Sequence, residues 1–318
     1  MIREIAAPQI VVIGSYNRDV TLAVARLPGP GETCLSRGRF ESSGGKGSNQ
    51  AIQAARCGAR VAMLAAIGDD SAADQALALW FDANIHTGGV VRIAGHATGT
   101  AVILVDDKGE NSIVVDAGAN HHLAPVHVEN ASALIASAKV VVAQLETPIG
   151  AIRKAFELAR AAGAVSLLNA APVSGALSAD LLDLTDILVV NEVEGRALAG
   201  MIEEDDIGAA LLRRVGAAVV MTLGERGALL FEPGQPKHSA PSHAVEVLDT
   251  TGAGDAFVGA FSARLARGDG TRAALEWGLA AGALACTARG ACASFADLDR
   301  ITALGIVGAN LTSPTHGP

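Results

Sequence analysis

A short segment near residue 250 combines residue types that can bind an anion and move a proton. Residues 249–257 read Asp-Thr-Thr-Gly-Ala-Gly-Asp-Ala-Phe and follow an extended run at residues 244–248. Gly252 and Gly254 permit a sharp strand-to-helix turn and a close approach of a ligand to the backbone. The first amides of the following helix lack intrahelical partners, so they can bind an anion. Asp255 lies in the same turn, where it could cap the helix or accept a proton from a substrate.

A second glycine-rich turn, Gly-Gly-Lys-Gly-Ser-Asn-Gln, occupies residues 44–50 and precedes a predicted helix. It is not a P-loop, because Gly47 follows Lys46 where Ser or Thr is required. In addition, Phe40 stands where the first glycine of a P-loop would be. From these residues alone, the turn is either a flexible hinge with a helix cap or part of a ligand site.

Polar side chains follow two of the predicted strands. Asn17 and Asp19 come shortly after the apolar strand Ile10–Ile13, and Glu146 follows the strand Val140–Leu145. Residues two apart on an extended segment point to the same side, so the Asn17 amide and the Asp19 carboxylate can hydrogen-bond two neighbouring hydroxyls of a ligand. The alternatives are a turn stabilised by the Asn or Asp side chain and, for Glu146, a surface position.

Two further turns after strands carry polar or glycine residues. Asn191 and Glu194 follow one strand end, and Thr222, Gly224 and Gly227 follow the next. Ligands gather at the carboxyl ends of strands in α/β sheets, which favours a binding role for both turns. A helix-capping motif and a simple glycine hairpin are the respective alternatives.

Composition restricts the class of protein. The chain has 318 residues, of which 50% are hydrophobic and 3% aromatic, so we expect a core of Ala, Val, Leu and Ile. The net charge is −9 and no Lys/Arg block is present, which argues against a nucleic-acid partner. The four cysteines form no CxxC pair, which indicates reduced thiols. No apolar run is long enough for a membrane span, so we expect a cytoplasmic protein without a membrane partner.

The order of predicted elements indicates an α/β fold. Predicted strands such as Val61–Ile67 and Val165–Asn169 alternate with predicted helices such as Ile149–Ala162, a pattern typical of a mostly parallel central sheet with helices on both faces. Four more exposed strands predict a separate small sheet: Val20–Ala25, Glu32–Phe40, Thr98–Val105 and Asn111–Asp116. We therefore expect one domain over residues 1–318, with lid strands at about 16–42 and 97–117 inserted into it.

The two glycine-rich turns resemble the two signatures of the ribokinase family of sugar and nucleoside kinases, also called the phosphofructokinase-B family. The resemblance extends from Ile10 to about Leu298. It implies a ribokinase-like fold with a small β-sheet lid, and an ATP-dependent phosphotransferase that acts on the 5-hydroxyl of D-ribose. By this resemblance Asp255 is the catalytic base, and Gly252, Ala253 and Gly254 form the anion hole for the transferred phosphoryl group.

The resemblance also assigns binding roles to single residues. The sugar contacts would be Asn17, Asp19, Gly45, Lys46, Asn49, Ala101, Glu146 and Asp255. The nucleotide contacts would be Asn191, Thr222, Gly224, Gly227 and Gly254. Glu194 would hold Mg²⁺, through water. Leu279 departs from the family pattern, in which a polar residue often lies against the adenine.

A monovalent cation, K⁺, is a further implication. Its ligands would be Asp249, Thr251, Ala285, Ala288, Gly290 and Ser294. The family also implies a homodimer formed through the lid sheet. Two alternatives stay open: a kinase of this family for deoxyribose, a ketose or a nucleoside, and a non-catalytic sugar-binding protein on the same fold. Asp255 argues against the second, because a binding protein has no need of a base.

Overall fold

The computed structural model describes residues 7–311, so residues 1–6 and 312–318 of the predicted domain lie outside it. Within the described range there are thirteen strands: β1 (Ile10–Ile13), β2 (Asn17–Ala23), β3 (Gly38–Gly44), β4 (Val61–Ile67), β5 (His86–Arg92), β6 (Gly99–Val105), β7 (Asn111–Asp116), β8 (Val140–Gln144), β9 (Val165–Asn169), β10 (Ile187–Asn191), β11 (Ala218–Thr222), β12 (Ala228–Phe231) and β13 (His238–Ala240). The same range contains twelve α-helices: α1 (Lys46–Arg56), α2 (Ser71–Asp82), α3 (Pro125–Asn130), α4 (Ser132–Ser137), α5 (Ile149–Ala162), α6 (Ala179–Asp183), α7 (Glu192–Ala199), α8 (Glu204–Leu212), α9 (Ala253–Ala266), α10 (Thr271–Ala285), α11 (Ala291–Ser294) and α12 (Leu298–Leu311). No helix in this range has both the length and the apolar character needed to cross a bilayer.

Nine strands form the main sheet, in the order β13-β12-β11-β10-β9-β8-β1-β4-β5. All neighbours are parallel except at one edge, where β12 runs antiparallel to both β11 and β13. Every residue of β1 and β4 is buried. Continuous apolar strands of this kind are expected in a parallel sheet that is covered on both faces. The predicted α/β fold class is confirmed.

The helices cover both faces of the main sheet. One face packs against α1, α2, α9 and α10, and the other against α3 to α8. Gly259 lets α9 approach α1 closely, because a Cβ atom there would lie 2.6 Å from the carbonyl oxygen of Gln50. This close packing brings the beginning of α9 against the beginning of α1, where the two glycine-rich turns lie.

The other four strands form a small sheet in the order β3-β2-β6-β7. In its register Asn17 pairs with Gly44, and Asp19 pairs with Ser42 on one side and Ala101 on the other. Paired residues point to the same face, so Asn17, Asp19 and Ala101 share one face of the small sheet. A side chain at Gly44 would collide with the Asp19 carboxylate, since a Cβ atom there would lie 2.1 Å from an oxygen.

Two local predictions are wrong, and one strand was not predicted. The second predicted strand of the small sheet is found at Gly38–Gly44 and not at 32–40, because the chain after the Pro-Gly-Pro-Gly turn joins β2 only from Gly38 onward. Residues 244–248 form no strand, so the glycine turn follows a loop and not a sheet strand. β5 was not predicted, since its adjacent Gly88 and Gly89 are atypical of a strand.

Candidate active site

Gly252 makes the predicted turn into α9, although a loop and not a strand precedes it. Gly252 is the residue before the helix and has a φ of +79°, in the region that favours glycine. A Cβ atom there would lie 2.9 Å from the Cα atom of Ala291. Gly254 faces open space, since a Cβ atom on it would meet no atom within 4 Å. The amide of Ala253 donates to the carbonyl oxygen of Thr250 at 3.2 Å, so the amides that follow it are the better anion donors.

Asp255 does not cap its helix. Its side chain is 7% exposed and turns toward α1, where Oδ2 accepts from Asn49 Nδ2 at 2.9 Å and Oδ1 accepts from Gln50 Nε2 at 3.0 Å. The capping interpretation is therefore wrong. Two amide groups hold the carboxylate in one orientation at the point where the two glycine-rich turns meet, which is the arrangement a positioned base requires.

A chain of buried amides behind Asp255 was not recognised in the sequence. Gln50 Nε2 also donates to Asn169 Oδ1 at 3.0 Å, and Gln144 Nε2 donates to Gln50 Oε1 at 2.6 Å. All three amide side chains are buried. Gln144 and Asn169 end the neighbouring parallel strands β8 and β9, and this strand-end position is the only signal that could have indicated them.

The predicted sugar-binding residues converge between the small sheet and the beginning of α1. Glu146 accepts from the backbone amide of Lys46 at 2.8 Å and from the Ser15 hydroxyl, so it is not a free surface residue. Gly45 has a φ of +87°, and a Cβ atom there would lie 2.7 Å from the Cα atom of Tyr16. Only glycine can therefore place Lys46 beside Glu146.

Asn17 is also held in one orientation. Its Oδ1 accepts from Asn120 Nδ2 at 2.9 Å, while Asn120 Oδ1 accepts from the amide of Tyr16 at 3.1 Å. With its oxygen engaged in this way, Asn17 presents its NH₂ group as a donor. Asn120 was not identified in the sequence, because it comes from a 3₁₀ turn more than one hundred residues away.

The charges in this region influence one another. Burial is the main cause that raises the pKa of Asp19 to about 7, and the charges of Glu146 and Asp255 add to it. Burial of Lys46 disfavours its charge, but the nearby carboxylates of Asp255, Glu146 and Glu194 outweigh burial and raise the pKa of its ammonium group. Lys46 therefore stays cationic among the carboxylates and can attract a further anion.

Two cavities adjoin the glycine turn. The first, of about 260 Å³, is lined by residues that include Lys46, Asn191, Glu194, Gly254 and Asp255. The second, of about 810 Å³, is lined by residues that include Thr222, Gly224, Gly227, His243 and Leu279. Four residues line both cavities: Thr222, Thr250, Gly254 and Phe257. The predicted nucleotide-binding residues thus line two adjoining cavities, and Asp255 lines the smaller one.

Asn191, Glu194 and Leu279 line these cavities, and the sequence left their roles open. Asn191 Oδ1 accepts from the amide of Glu194 at 2.8 Å, and Glu194 Oε2 accepts from the amide of Asn191 at 2.9 Å. The two residues therefore form the helix-capping motif, and this motif holds the Glu194 side chain at the wall of the smaller cavity. Burial is the main cause that raises the pKa of Glu194, against the opposing effects of the Asn191 amide and Lys46. Leu279 presents an apolar side chain to the larger cavity.

Two of the predicted cation ligands, Thr251 and Gly290, bind the Asp249 carboxylate through their backbone amides. Asp249 Oδ1 accepts from the amide of Thr251 at 2.9 Å and Oδ2 from the amide of Gly290 at 2.8 Å. Partial burial acts to raise the pKa of Asp249, but these hydrogen bonds prevail and lower it. Ala285 ends α10, Ala288 lies in the following turn and Ser294 ends α11. Within residues 7–311, no cluster of three or more His, Cys, Asp or Glu side chains could hold a metal ion by itself.

Comparison with known proteins agrees with this geometry. Residues 7–298 match the family described as pfkB family carbohydrate kinase. A ribokinase from Staphylococcus aureus is 39% identical over an alignment of 300 residues that covers 92% of this chain and 98% of that protein. A deoxyribokinase from Salmonella typhi is 32% identical over 92% of this chain and 96% of its own length. The structure of Arabidopsis thaliana ribokinase complexed with ribose and ATP superimposes with a TM-score of 0.87 at 30% identity, over 94% of this chain and 99% of that one.

Proposed function

Since the chain belongs to the pfkB family of carbohydrate kinases, we infer that it is an ATP-dependent ribokinase that phosphorylates the 5-hydroxyl of D-ribose. The observation that carries this proposal is the position of Asp255. Its carboxylate lies in the 260 Å³ cavity beside the anion-binding turn, and Asn49 joins it to the predicted sugar-binding residues. A phosphoryl acceptor and a phosphoryl donor can meet at this carboxylate.

The proposed reaction follows from the roles of these groups. Asn17 donates to, and ionised Asp19 accepts from, the hydroxyls of ribose, with Glu146 and Lys46 beside them. Asp255 accepts the proton of the 5-hydroxyl as the oxygen of that hydroxyl attacks the γ-phosphorus of ATP. The bond from that phosphorus to the bridging oxygen breaks, so ADP leaves. The amides at the beginning of α9 and the Lys46 ammonium stabilise the charge that spreads over the phosphoryl oxygens.

Two cations are part of the proposal. Glu194 lines the cavity with Lys46 and Asp255. Carboxylate oxygens are the protein ligands that Mg²⁺ takes, so the residues fit this ion. Mg²⁺ bound there would neutralise phosphate charge. Asp249 and the segment 285–294 offer carboxylate, hydroxyl and backbone oxygens, which suit a hard monovalent ion such as K⁺. We propose that K⁺ orders the turn that carries Gly252 to Asp255.

We further propose that the chain is one domain. The small sheet, with strands at about 16–42 and 97–117, closes over the sugar as a lid. Two such lids pair in a homodimer. Phe40, Ile113 and Val115 are 65%, 52% and 52% exposed. Through the register of the small sheet they lie on the same face as Asp19, where Val115 pairs with Ala101 and the other two lie two residues further along the strands. A second copy would cover this apolar face. Light scattering should show a dimer, and Phe40→Glu should give monomers.

The similarity to known proteins leaves one specific alternative, phosphorylation of deoxyribose. The Salmonella typhi protein with that name is similar over nearly the whole chain. Against it stands Asp19, whose carboxylate can accept from two neighbouring hydroxyls, of which deoxyribose has only one. Ala101 pairs with Asp19 and is small, which leaves room for the 2-hydroxyl of ribose. We propose a cytoplasmic location, because ATP is the second substrate.

A coupled assay of ADP release tests the proposal. Ribose, 2-deoxyribose, fructose, tagatose and several nucleosides are compared at equal ATP, with Asp255→Asn as the control for contaminating kinases. Ribose should give the highest kcat/KM, and ³¹P NMR should show a 5-phosphate. A higher kcat/KM with deoxyribose or a nucleoside would contradict the ribose assignment, while no turnover of any substrate would contradict the kinase itself.

A further inference from the structure

Cys292 contacts the group that holds Asp255. Its Sγ lies 3.0 Å from Oδ1 of Asn49, and Nδ2 of the same Asn49 side chain lies 2.9 Å from Oδ2 of Asp255. Asn49 is 5% exposed and Asp255 is 7% exposed, while Cys292 is half-buried. Because an amide oxygen only accepts hydrogen bonds, the thiol is the donor of the first of these bonds.

Both amide groups that bind Asp255 are oriented in the same way. The oxygen of Gln50 accepts from Gln144 at 2.6 Å, which leaves the Gln50 NH₂ group for Asp255. The oxygen of Asn49 accepts from the Cys292 thiol, which leaves the Asn49 NH₂ group for Asp255. A primary amide can rotate its two ends, and only the NH₂ end is compatible with a carboxylate. A donor on the oxygen end therefore selects the useful orientation.

The backbone around Cys292 is itself anchored on two sides. The amide of Gly290 donates to Asp249 at 2.8 Å, and Gln53 Nε2 donates to the carbonyl oxygen of Ala296 at 2.9 Å. Gln53 lies one turn after Asn49 on α1. The position of the thiol relative to Asn49 is thus determined by the packing of α11 against α1.

We propose that Cys292 is a positioning residue for phosphoryl transfer, which acts through Asn49 to keep Asp255 in its productive orientation. The proposal rests on the proposed function, since it assumes that Asp255 is the base. It assigns a task to a residue that is not among the predicted sugar-binding or nucleotide-binding residues. Loss of the thiol donor should leave the fold intact while it lowers turnover.

The test compares Cys292→Ala, Cys292→Ser and the matched control Cys57→Ala. Cys57 is a buried thiol just after the other end of α1, where its sulfur accepts from Gln53 at 3.4 Å. We expect C292A to lower kcat by about three- to tenfold, the range of one hydrogen bond. C292S restores a donor and should recover most of kcat. C57A removes a thiol that does not contact Asn49, so its kcat should stay within about twofold of the wild type, below the effect expected of the bond to Asn49.

Three results would overturn the proposal: an unchanged kcat in C292A, an equal loss in C292A and C292S, or an equal loss in C57A. Thermal unfolding checks that each variant is folded, and Cys292→Val replaces C292A if that variant is unstable, because Val fills the space without a donor. A crystal structure of C292A gives a readout that needs no activity. Asn49 should lose its single orientation toward Asp255, and an unchanged Asn49 contradicts the proposal.

Failure of the proposed function can be distinguished from failure of this inference. Turnover of ribose by the wild type is measured first and tests the function by itself. If another sugar is the better substrate, the same variants are compared on that sugar. A wild type that turns over no sugar refutes the function, and with it the role in phosphoryl transfer, while the crystal structure of C292A still decides whether Cys292 orients Asn49.

Discussion

Ribose binding should depend on pH through Asp19. Burial, and then the charges of Glu146 and Asp255, raise the pKa of this carboxyl to about 7. The proposed role requires the ionised form, because only a carboxylate accepts from two hydroxyls. A carboxyl with this pKa is about one-tenth ionised at pH 6 and about nine-tenths ionised at pH 8. Since apparent affinity scales with the competent fraction, the Kd for ribose should fall about tenfold from pH 6 to pH 8.

Titration calorimetry without nucleotide measures this dependence separately from catalysis. Asp19→Asn keeps the shape of the side chain but cannot ionise, so its Kd should be weak and flat over the same range. Asp116→Asn, which changes an exposed carboxyl on the same sheet, is the matched control and should keep the tenfold change. Experiments at pH 6 in two buffers of different ionisation enthalpy should show that ribose binding releases a proton.

The same pKa predicts a change in stability of the free protein. A carboxyl whose pKa is raised by folding destabilises the folded protein when it is ionised. Its contribution to the free energy of unfolding therefore decreases as the pH rises from about 4 to about 7. Between about pH 4 and about pH 7, the free energy of unfolding should therefore decrease less in Asp19→Asn than in the wild type. A ribose Kd that is flat in the wild type, or a slope that survives in Asp19→Asn, would refute the assignment of this titration to Asp19.

Three further predictions concern the base, the cation and the sugar. Asp255→Asn should lower kcat by roughly 10²- to 10⁴-fold while calorimetry shows nearly normal ribose binding; near-normal turnover would exclude it as the base. K⁺ should raise activity well above Na⁺ or choline at equal ionic strength, and equal rates in the three salts would remove the site at Asp249. The kcat/KM for 2-deoxyribose should be roughly tenfold to a hundredfold below that for ribose, since one lost bond to a charged group costs about 1.5–3 kcal/mol. This gap should shrink in Asp19→Ala, and a gap that persists would show that Asp19 does not discriminate.

Much of the fold follows from local patterns in the sequence. The continuous apolar runs of β1 and β4 could only belong to a sheet covered on both sides, and α5 and β9 have the predicted bounds. The glycine-rich turn at residues 249–257 also indicated Asp255, because positive φ angles, close backbone approach and helix starts are local properties. These features depend on a residue and its near neighbours, so one sequence contains the information for them. Asn49 was indicated only by the resemblance of the turn at residues 44–50 to a family signature.

The orientation of the site depends on contacts between distant parts of the chain. Gln50 donates to Asp255 across 205 residues, and Cys292 contacts Asn49 across 243. Glutamine and cysteine have no pattern that separates a buried partner of a base from an ordinary core residue. The pKa of Asp19 likewise arises from burial and from carboxylates that only folding brings near. The residue types of the site are therefore determined by the sequence locally, whereas their orientation and charge state are determined by tertiary packing, because hydrogen bonds and electrostatic effects depend on distance in space.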